Sequence, residues 1–221
     1  MPKEELNAGF ADANSEWMWA LDMREDDNGG YLMVPSFYDL RTSGYNSFRA
    51  DSGFYNYFEP SDSRQLQFTY NGVNPYYENN GYGVFKFLHR TSWDMDQVLM
   101  RASEMYLIEA EAAAELGNDA NARDTLNAIR NRAGATPVGS TVGGAALIDL
   151  IMLERRKELF GEGFRFFDMT RKSQPLVRFS ISHWVPLNWV ANDPRMVLPI
   201  PQDEIDANPN ISESDQNEAY R

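Results

Sequence analysis

Hydrophobic residues follow a helical repeat only in the second part of the chain, from about residue 99. Residues 99–118, LMRASEMYLIEAEAAAELGN, are mostly strong helix formers and reach Gly117, a residue that commonly ends helices. One apolar face of this segment comprises Met105, Ile108, Ala112 and Leu116, and a second comprises Ala102, Tyr106, Ala110 and Ala113. The pattern predicts a helix that is sandwiched between neighbouring elements.

Three further helices are predicted downstream. Asn118 or Asp119 caps the second helix, ANARDTLNAIRNRAG, which ends at Gly134 and turns Ala122, Leu126, Ile129 and Ala133 inward. A third helix covers about 145–160, with Ile148, Met152 and Leu159 on one face, and a short fourth helix covers 164–171. The first two helices together have the length of one tetratricopeptide repeat, about 34 residues. A single repeat needs stacked partners to bury its faces.

The first part of the chain has no sustained period. Residues 15–23 form an apolar segment that fits a strand or a helix, and 24–30 fit a turn. Residues 31–98 mix many Tyr and Phe residues with Gly, Asn, Ser and Asp, which predicts long loops with short strands such as GVFKFLH at 83–89. We therefore expect a loop-rich aromatic region at 1–98 and a helical region at 99–221, together forming one structural domain.

Composition excludes several classes of protein. A net charge of -13 argues against nucleic acid as a partner, because nucleic acid binds basic surfaces. The absence of cysteine excludes disulfides, iron–sulfur clusters and thiol nucleophiles. The first residues, MPKEELNAGF, lack the pattern of a signal peptide, and no apolar run approaches the 18 residues of a membrane span.

Motifs for cofactors and metals are also missing. The Gly-rich segment 134–145 lacks both the Gly-Lys-Ser/Thr of a phosphate loop and the glycine spacing of a dinucleotide site. His89 and His183 are far apart, and REDDNGG at 24–30 fits a turn better than a calcium loop. We expect no cofactor and no resident metal, although a loose calcium site of oxygen ligands stays open.

The segment 154–171, ERRKELFGEGFRFFDMTR, concentrates charges of both signs. Glu154 and Glu158 lie one helical turn apart and could in principle be the carboxylate pair of a glycosidase. Neighbouring arginines lower a carboxylate pKa, however, whereas a general acid needs a raised one. We therefore expect a structural ion-pair network, with Phe164, Phe166 and Phe167 packed beneath it. The expected members are Glu154, Arg155, Glu158, Arg165 and Asp168.

Three ordered motifs resemble the C-terminal region of the SusD/RagB family. They are RASEMYLIEAEAAAELGN with ARDTLNAIRNRAGA, then IMLERRKELFGEGFRFFDMTR, and finally VLPIPQDEIDANPNISESDQNEAY. EPSDSRQ at 59–65 also looks like that family's Asp-x-Arg segment, through Asp62 and Arg64. Ala219 stands where the family has glycine before the final tyrosine.

The resemblance implies a mainly α fold, SusD-like, with a tetratricopeptide-like helix pair and inserted ligand-binding loops. It implies a binding protein and not an enzyme, one that takes glycans at the cell surface and delivers them to a SusC-like TonB-dependent outer-membrane transporter. Family members are about twice this length, so the N-terminal half of the family fold is expected to be missing here, with its lipidated cysteine. Membrane association would then depend on a lipid anchor that this chain does not carry, and apolar helix surface would be exposed.

Ligand residues do not follow from the family motifs, so they are chosen from the aromatic loops. An exposed aromatic ring can stack on the C–H face of a sugar, while polar side chains bind hydroxyl groups. The candidates are Tyr31, Tyr38, Tyr45, Tyr55 and Trp184, with Arg41 and Asn46 as hydroxyl partners. The alternative is that these aromatics pack as satellite clusters of the core. Alternative functions are a peptide-binding member of the same family, a helical-repeat scaffold without small-ligand binding, and a carbohydrate-active enzyme.

Overall fold

The computed structural model describes residues 5, 10–38, 45, 47–73, 76–77, 81–88, 90–178 and 186–221. The chain divides into two compact units, Met1–Gly163 and Phe164–Arg221. The boundary predicted at residue 98 does not coincide with this division, because residues 1–98 share the first unit with three long helices. The assignment of 1–98 as the ligand-binding part stays a prediction.

Helices dominate both units, as the motifs predicted. The first unit contains α1 (Val34–Tyr38), α2 (Ser52–Tyr55), α3 (Ala102–Glu115), α4 (Asp119–Ala133) and α5 (Gly144–Glu158), and the second contains α6 (Phe164–Arg171) and α7 (Gln202–Ala207). Short 3-10 turns cover Gly30–Leu32, Ser63–Phe68, Pro194–Met196, Glu213–Asp215 and Glu218–Tyr220.

The strands are few and short. They are β1 (Trp17–Leu21), β2 (Ala50–Asp51), β3 (Tyr76–Tyr77), β4 (Gly81–Tyr82) and β5 (Gln97–Arg101) in the first unit, and β6 (Leu176–Arg178) and β7 (Leu187–Trp189) in the second. In the described ranges, every strand pairing is antiparallel: β1 with β5, β4 between β2 and β3, and β6 with β7.

Helix α4 begins and ends where local chemistry predicts. The Asn118 side chain accepts a hydrogen bond from the Asn121 N–H and caps α4, and Gly134 ends the same helix at a φ of 76°. Helix α3 packs against α4 and α5, and α4 packs against α5. The four inward residues predicted for α4 are buried: Ala122, Leu126, Ile129 and Ala133.

Two local predictions are wrong. Residues 99–101, expected to begin the first helix, belong to β5 (Gln97–Arg101), because pairing with β1 satisfies their backbone groups before α3 starts. In the expected strand 83–89, residues 83–88 are irregular, and the strand β4 lies just before them. Val84, Phe85 and Phe87 are nevertheless buried, so the apolar run contributes side chains to the hydrophobic core without forming strand hydrogen bonds.

Helix α3 is not buried on both apolar faces. Ala110 and Ala113 are buried, whereas Ile108 is 47% and Leu116 is 86% exposed. The prediction that neighbouring elements cover both faces is therefore wrong for the face of Met105, Ile108, Ala112 and Leu116. The expectation that this chain exposes apolar helix surface is confirmed. The packing neighbours α4 and α5 cover only the opposite side.

In the second unit, residues near the C-terminus form hydrogen bonds with the segment around Ile200. Gln216 is buried and exchanges two hydrogen bonds of 2.9 Å with the backbone N–H and carbonyl of Ile200. The Asn217 amide donates to the Leu198 carbonyl. This pairing explains physically why PIP and QN occur as separated parts of one motif. Phe166 and Phe167, expected to pack beneath the charges, are exposed, because the buried residues of α6 are Asp168 and Met169.

Candidate functional site

Six aromatic rings of the first unit form a continuous surface feature, here called the aromatic row. Its members, in order of contact, are Trp93, Tyr31, Tyr45, Phe37, Phe48 and Tyr38. Successive ring centroids lie 5.0, 6.4, 5.2, 5.5 and 5.4 Å apart. These separations are those of aromatic pairs in contact, so the rings support one another.

Half of the aromatic row faces solvent. Tyr31 is 52%, Tyr45 58% and Phe48 49% exposed. Phe37 stacks on Tyr45 with 15° between the ring planes and lies between it and Phe48. The row therefore offers several apolar ring surfaces side by side, which single scattered surface aromatics do not.

Short-range backbone structure positions the rings. Helix α1 carries Phe37 and Tyr38, and the Phe37 carbonyl accepts a 3.0 Å hydrogen bond from the Phe48 N–H. Trp93 adopts a φ of 58°, which is a rare conformation for a bulky residue, and its indole packs on the cluster of Met33 and Met95. Strained conformations of this kind are found more often at functional sites than elsewhere.

The far end of the row is anchored in the interior. Tyr38 contacts Phe87 at 5.5 Å and Phe160 at 6.2 Å, and it packs against the core cluster of Phe54, Phe68 and Val84. Burial raises the pKa of the Tyr38 hydroxyl, so that group stays neutral. Tyr38 therefore ties the exposed rings to a rigid base.

Of the candidate ligand residues, three come together in the aromatic row: Tyr31, Tyr38 and Tyr45. Tyr55 lies in a different cluster, stacked on Tyr82 at 4.1 Å and packed against the core. Arg41, Asn46 and Trp184 lie outside the described residues. Sequence reasoning did not select Phe37, Phe48 or Trp93. Only their position among Gly, Ser and Asp hinted at them, because contact between distant loops leaves no mark in the sequence.

The interior of the first unit holds a second feature, the charged core. Its basic members are Arg64, Lys86, Arg101, Arg130, Arg132 and Lys157, and its acidic members are Glu16, Glu59, Asp62, Glu154, Glu158 and Glu162. Six positive and six negative charges thus balance. Because buried charges are tolerated when they are paired, this balance explains how so many lie inside the unit.

Glu158 is the centre of the charged core. Its carboxylate accepts hydrogen bonds from Arg64 at 2.9 Å, Arg101 at 2.7 Å and Arg132 at 2.5 Å. Burial alone would raise the pKa of Glu158, but Arg132, Arg101 and Arg64 hold that pKa well below its usual range. A carboxylate in this state accepts hydrogen bonds but has no proton to donate as a general acid.

Glu154 is held in the same manner by arginines from distant segments. It accepts from Arg64 at 2.5 Å and from Arg130 at 2.7 Å. Arg64 also binds Asp62 through two hydrogen bonds of 2.9 and 2.8 Å, which explains the Asp-x-Arg segment as part of the charged core. Two of the five predicted network residues, Glu154 and Glu158, are therefore in buried ion pairs.

The other three predicted network residues have different surroundings. Arg155 is buried on α5. Arg165 and Asp168 belong to the second unit, where Asp168 pairs with Arg171 at 2.7 Å. Their membership in a single network with Glu154 and Glu158 stays a prediction. The arginines that bind Glu154 and Glu158 come from other segments of the chain: Arg64 from the 3-10 turn Ser63–Phe68, Arg101 from β5, and Arg130 and Arg132 from α4.

A cavity of about 280 Å³ lies beside α1 and β5. Its walls are formed by Phe10, Val34, Pro35, Phe87, Asp96, Gln97, Val98, Leu99 and the turn Gly161, Glu162 and Gly163. Phe87 is shared between this cavity and the base of the aromatic row.

In the described part of the chain, no three Asp, Glu or His side chains lie close enough together to hold a metal ion. Among the same residues, no helix is both long and apolar enough to cross a membrane.

Comparison with protein-family models matches residues 37–220 to the SusD family. Among curated proteins, the chain is similar to SusD-like protein P25 of Formosa agariphila, with 32% identity over 133 residues, which is 57% of this chain and 25% of that protein. It is also similar to SusD-like protein P38 of the same organism, with 30% identity over 115 residues, or 48% of this chain and 22% of that protein. The chain therefore spans only a fraction of the length of these relatives.

Solved structures show the same architecture. A SusD-like carbohydrate binding protein from Bacteroides vulgatus matches with a TM-score of 0.81 and 28% identity, over 99% of this chain and 52% of that one. A putative sugar binding protein from Bacteroides vulgatus matches with a TM-score of 0.81 and 26% identity, over 100% of this chain and 51% of that one. The match covers nearly all of this chain and about half of each neighbour.

Proposed function

Because the chain belongs to the SusD family, we propose that it binds glycans through the aromatic row and takes part in delivering them to a TonB-dependent transporter at the outer-membrane surface. The observation that supports this proposal is the contact between exposed Tyr31, Tyr45 and Phe48 and the rings that hold them. Two solved neighbours are described as carbohydrate or sugar binding proteins.

The chemistry of the aromatic row suits a sugar chain. A sugar ring has apolar C–H faces and polar edges, so it stacks on aromatic rings while its hydroxyl groups remain hydrated or bind polar neighbours. Successive ring contacts of 5.0–6.4 Å give such a chain several places to stack in sequence. The rings are also packed together before binding, so little conformational entropy is lost when the ligand arrives.

Calorimetry or affinity electrophoresis against a panel of soluble polysaccharides tests the proposal. Tyr45→Ala removes one exposed stacking surface, which costs about 0.5–1.5 kcal/mol of binding free energy, or roughly a two- to tenfold loss of affinity. Tyr106→Ala is the matched control, because Tyr106 is a similarly exposed tyrosine, at 46%, on α3 and outside the aromatic row.

Three results would change the proposal. Equal losses for Tyr45→Ala and Tyr106→Ala would remove the aromatic row from the site. Binding of peptides without binding of any glycan would favour the peptide-binding alternative. Release of reducing sugar by the wild-type chain would favour an enzyme; we propose no catalytic step, because the buried carboxylates are held in ion pairs.

A scaffold role is the second candidate, and the exposed apolar face of α3 favours it. Ile108 and Leu116 lie on that face with 47% and 86% of their surface exposed. A scaffold would associate with a partner protein through α3 and bind no glycan. In that case Ile108→Ser should abolish association with the partner protein. Glycan titrations should show no binding, either by the wild-type chain or by the variant.

A further inference from the structure

The cavity beside β5 combines apolar walls with two carboxylates. Six of its wall residues are apolar: Phe10, Val34, Pro35, Phe87, Val98 and Leu99. The wall also includes three polar residues, Asp96, Gln97 and Glu162. Small-molecule sites have this composition, a mostly apolar surface with a few polar groups that fix orientation.

The two carboxylates differ in their charge environment. Glu162 is neutralised, because Arg101 donates to it at 2.7 and 2.8 Å and Lys86 donates at 2.5 Å. Both cations belong to the balanced charged core. Glu162 therefore contributes little net charge to the cavity.

Asp96 is bound by backbone amides instead. Its carboxylate accepts hydrogen bonds from the Met23 N–H at 3.1 Å and the Ala13 N–H at 3.2 Å, one on each oxygen. Among the described residues, no ion pair joins Asp96 to a cation. A carboxylate has about four acceptor positions, so two remain after these contacts.

The surroundings of Asp96 are negative overall. Arg90 pairs with Asp12 and lies 3.8 Å from Asp94. The hydrogen bond to Asp12 and the charges of Asp12, Asp94 and Asp96 raise the pKa of Arg90. One guanidinium thus lies among three carboxylates, of which it pairs with Asp12 and Asp94, so the charges around Asp96 are negative in sum.

The aromatic wall is already in contact with cations. The Lys86 ammonium lies 4.8 Å from the centre of the Phe10 ring and 5.5 Å from that of Phe87, and the Arg101 guanidinium lies 5.4 Å from the centre of the Phe10 ring. Both cations are paired with Glu162. The attraction for an ammonium ion entering the cavity is therefore assigned to the Asp96 carboxylate.

We propose that this cavity binds a small organic cation, an ammonium group on a compact apolar body, with Asp96 as its counter-ion. Its volume of about 280 Å³ limits the occupant to one small unit, since drug-sized ligands occupy roughly 300–1,000 Å³. This site is separate from the aromatic row and does not depend on glycan binding there.

Two probes of equal shape test the assignment by isothermal titration calorimetry at pH 7. Cyclohexylamine is protonated at that pH, as a lysine side chain is, whereas cyclohexanol is neutral. The wild-type chain should bind cyclohexylamine at least tenfold more tightly than cyclohexanol. Glucosamine against glucose repeats the comparison on a sugar ring, and a preference for glucosamine would name the amino sugar as the natural source.

Two variants locate the binding site of the amine. Asp96→Asn removes the charge and keeps one acceptor oxygen, and it should bring the amine within threefold of the alcohol. Leu99→Trp fills the cavity from an exposed wall residue and should abolish binding of both probes. Leu66→Trp is the matched control, because Leu66 is exposed and lies outside the cavity wall.

Equal affinity for the amine and the alcohol would overturn the proposal, and so would unchanged binding by Leu99→Trp. Loss of amine binding in Tyr45→Ala would assign the probe to the aromatic row, which also overturns it. If Asp96→Asn fails to fold, the proposal is still tested by two measurements: the relative affinities of the wild-type chain for the amine and the alcohol, and the binding of both probes by Leu99→Trp. Absence of glycan binding by the wild-type chain would leave this proposal unaffected.

Discussion

The charged core and the aromatic row are both built from side chains of distant segments, but they differ in exposure and in tolerance to change. The side chains of Glu158, Asp62 and Arg64 in the charged core are at most 1% exposed. The exposed members of the aromatic row keep about half of their surface in solvent. A buried charge that loses its partner is penalised heavily, whereas an exposed ring that is removed leaves no unsatisfied group. Stability and ligand binding are therefore expected to depend on different residues of the same unit.

Glu158→Gln should have the largest effect on stability. The substitution leaves Arg64, Arg101 and Arg132 facing a neutral amide in a buried site. Breaking one partner of a buried ion pair costs about 3–5 kcal/mol in free energy of unfolding. Urea denaturation followed by circular dichroism measures this cost. Glu25→Gln, an exposed residue of the 24–27 turn, is the control and should change stability by less than about 0.5 kcal/mol. A loss below about 1 kcal/mol for Glu158→Gln would contradict the central role of this carboxylate.

Acid should also act mainly on the charged core. Burial raises the pKa values of Asp62, Glu158 and Glu162, but their ion pairs outweigh it and all three pKa values are lowered. A lowered folded-state pKa means that the carboxylate stabilises the fold above its unfolded value, 3.8 for Asp and 4.5 for Glu. That stabilisation is lost as the pH falls further, through the folded pKa.

The urea midpoint should therefore stay nearly constant from pH 7 to pH 5 and fall below about pH 4.5. Glu158→Gln removes one of the titrating groups and should show a smaller decrease over the same range. A midpoint that is equal at pH 7 and pH 3 would show that these carboxylates do not control acid stability.

Gly161→Ala should have an intermediate effect, because it disturbs the contact that joins the two regions. A Cβ at residue 161 would lie 2.5 Å from Cε2 of Phe87, whose ring supports Tyr38. Overpacking costs about 1–3 kcal/mol, in addition to the cost of a non-glycine residue at positive φ. Gly117→Ala isolates that second cost, because Gly117 has a φ of 76° and no atom within 4 Å of its Cβ position. Equal destabilisation of the two variants would mean that Phe87 moves aside freely.

Tyr31→Ala should have the smallest effect on stability and a clear effect on binding. Tyr31 is 52% exposed and makes edge-to-face contacts with the Tyr45 and Trp93 rings of the row. We expect a change in unfolding free energy within about 0.5 kcal/mol and a roughly two- to tenfold loss of glycan affinity. Thermal denaturation measures the change in stability, and calorimetry on the same sample measures the change in glycan affinity. A large loss of stability would show that the aromatic row is part of the core.

Local sequence predicted the helices well, but it did not predict the strand that ends the aromatic region before α3. Asn118 and Gly134 bound α4 as their chemistry predicts, because capping is decided within a few residues. Residues 99–101 were predicted to begin a helix but belong to β5, because β1, about 80 residues earlier in the chain, offers its backbone groups. Helical propensity is weaker than a strand pairing of that kind.

The candidate site was predicted in part. Tyr31, Tyr38 and Tyr45 share a Gly- and Ser-rich segment, so their joint position could be expected from the sequence. Trp93 and Phe48 join the same row because the fold brings their loops together. Tyr55 has the same residue type and a similar neighbourhood, but it stacks on Tyr82 against the core. Residue type cannot separate these outcomes, because exposure depends on what packs from other segments.

The sequence by itself determined the presence of the helices, the caps of α4, the SusD family and the presence of charges around Glu154 and Glu158. These properties depend on residues that are close in the chain, where period, capping and motif spacing suffice. The tertiary structure alone decided which cations bind those carboxylates and which aromatic rings meet at the surface. A buried carboxylate needs donors in several directions, and one helix face supplies too few, so Arg64, Arg101 and Arg132 approach Glu158 from other segments.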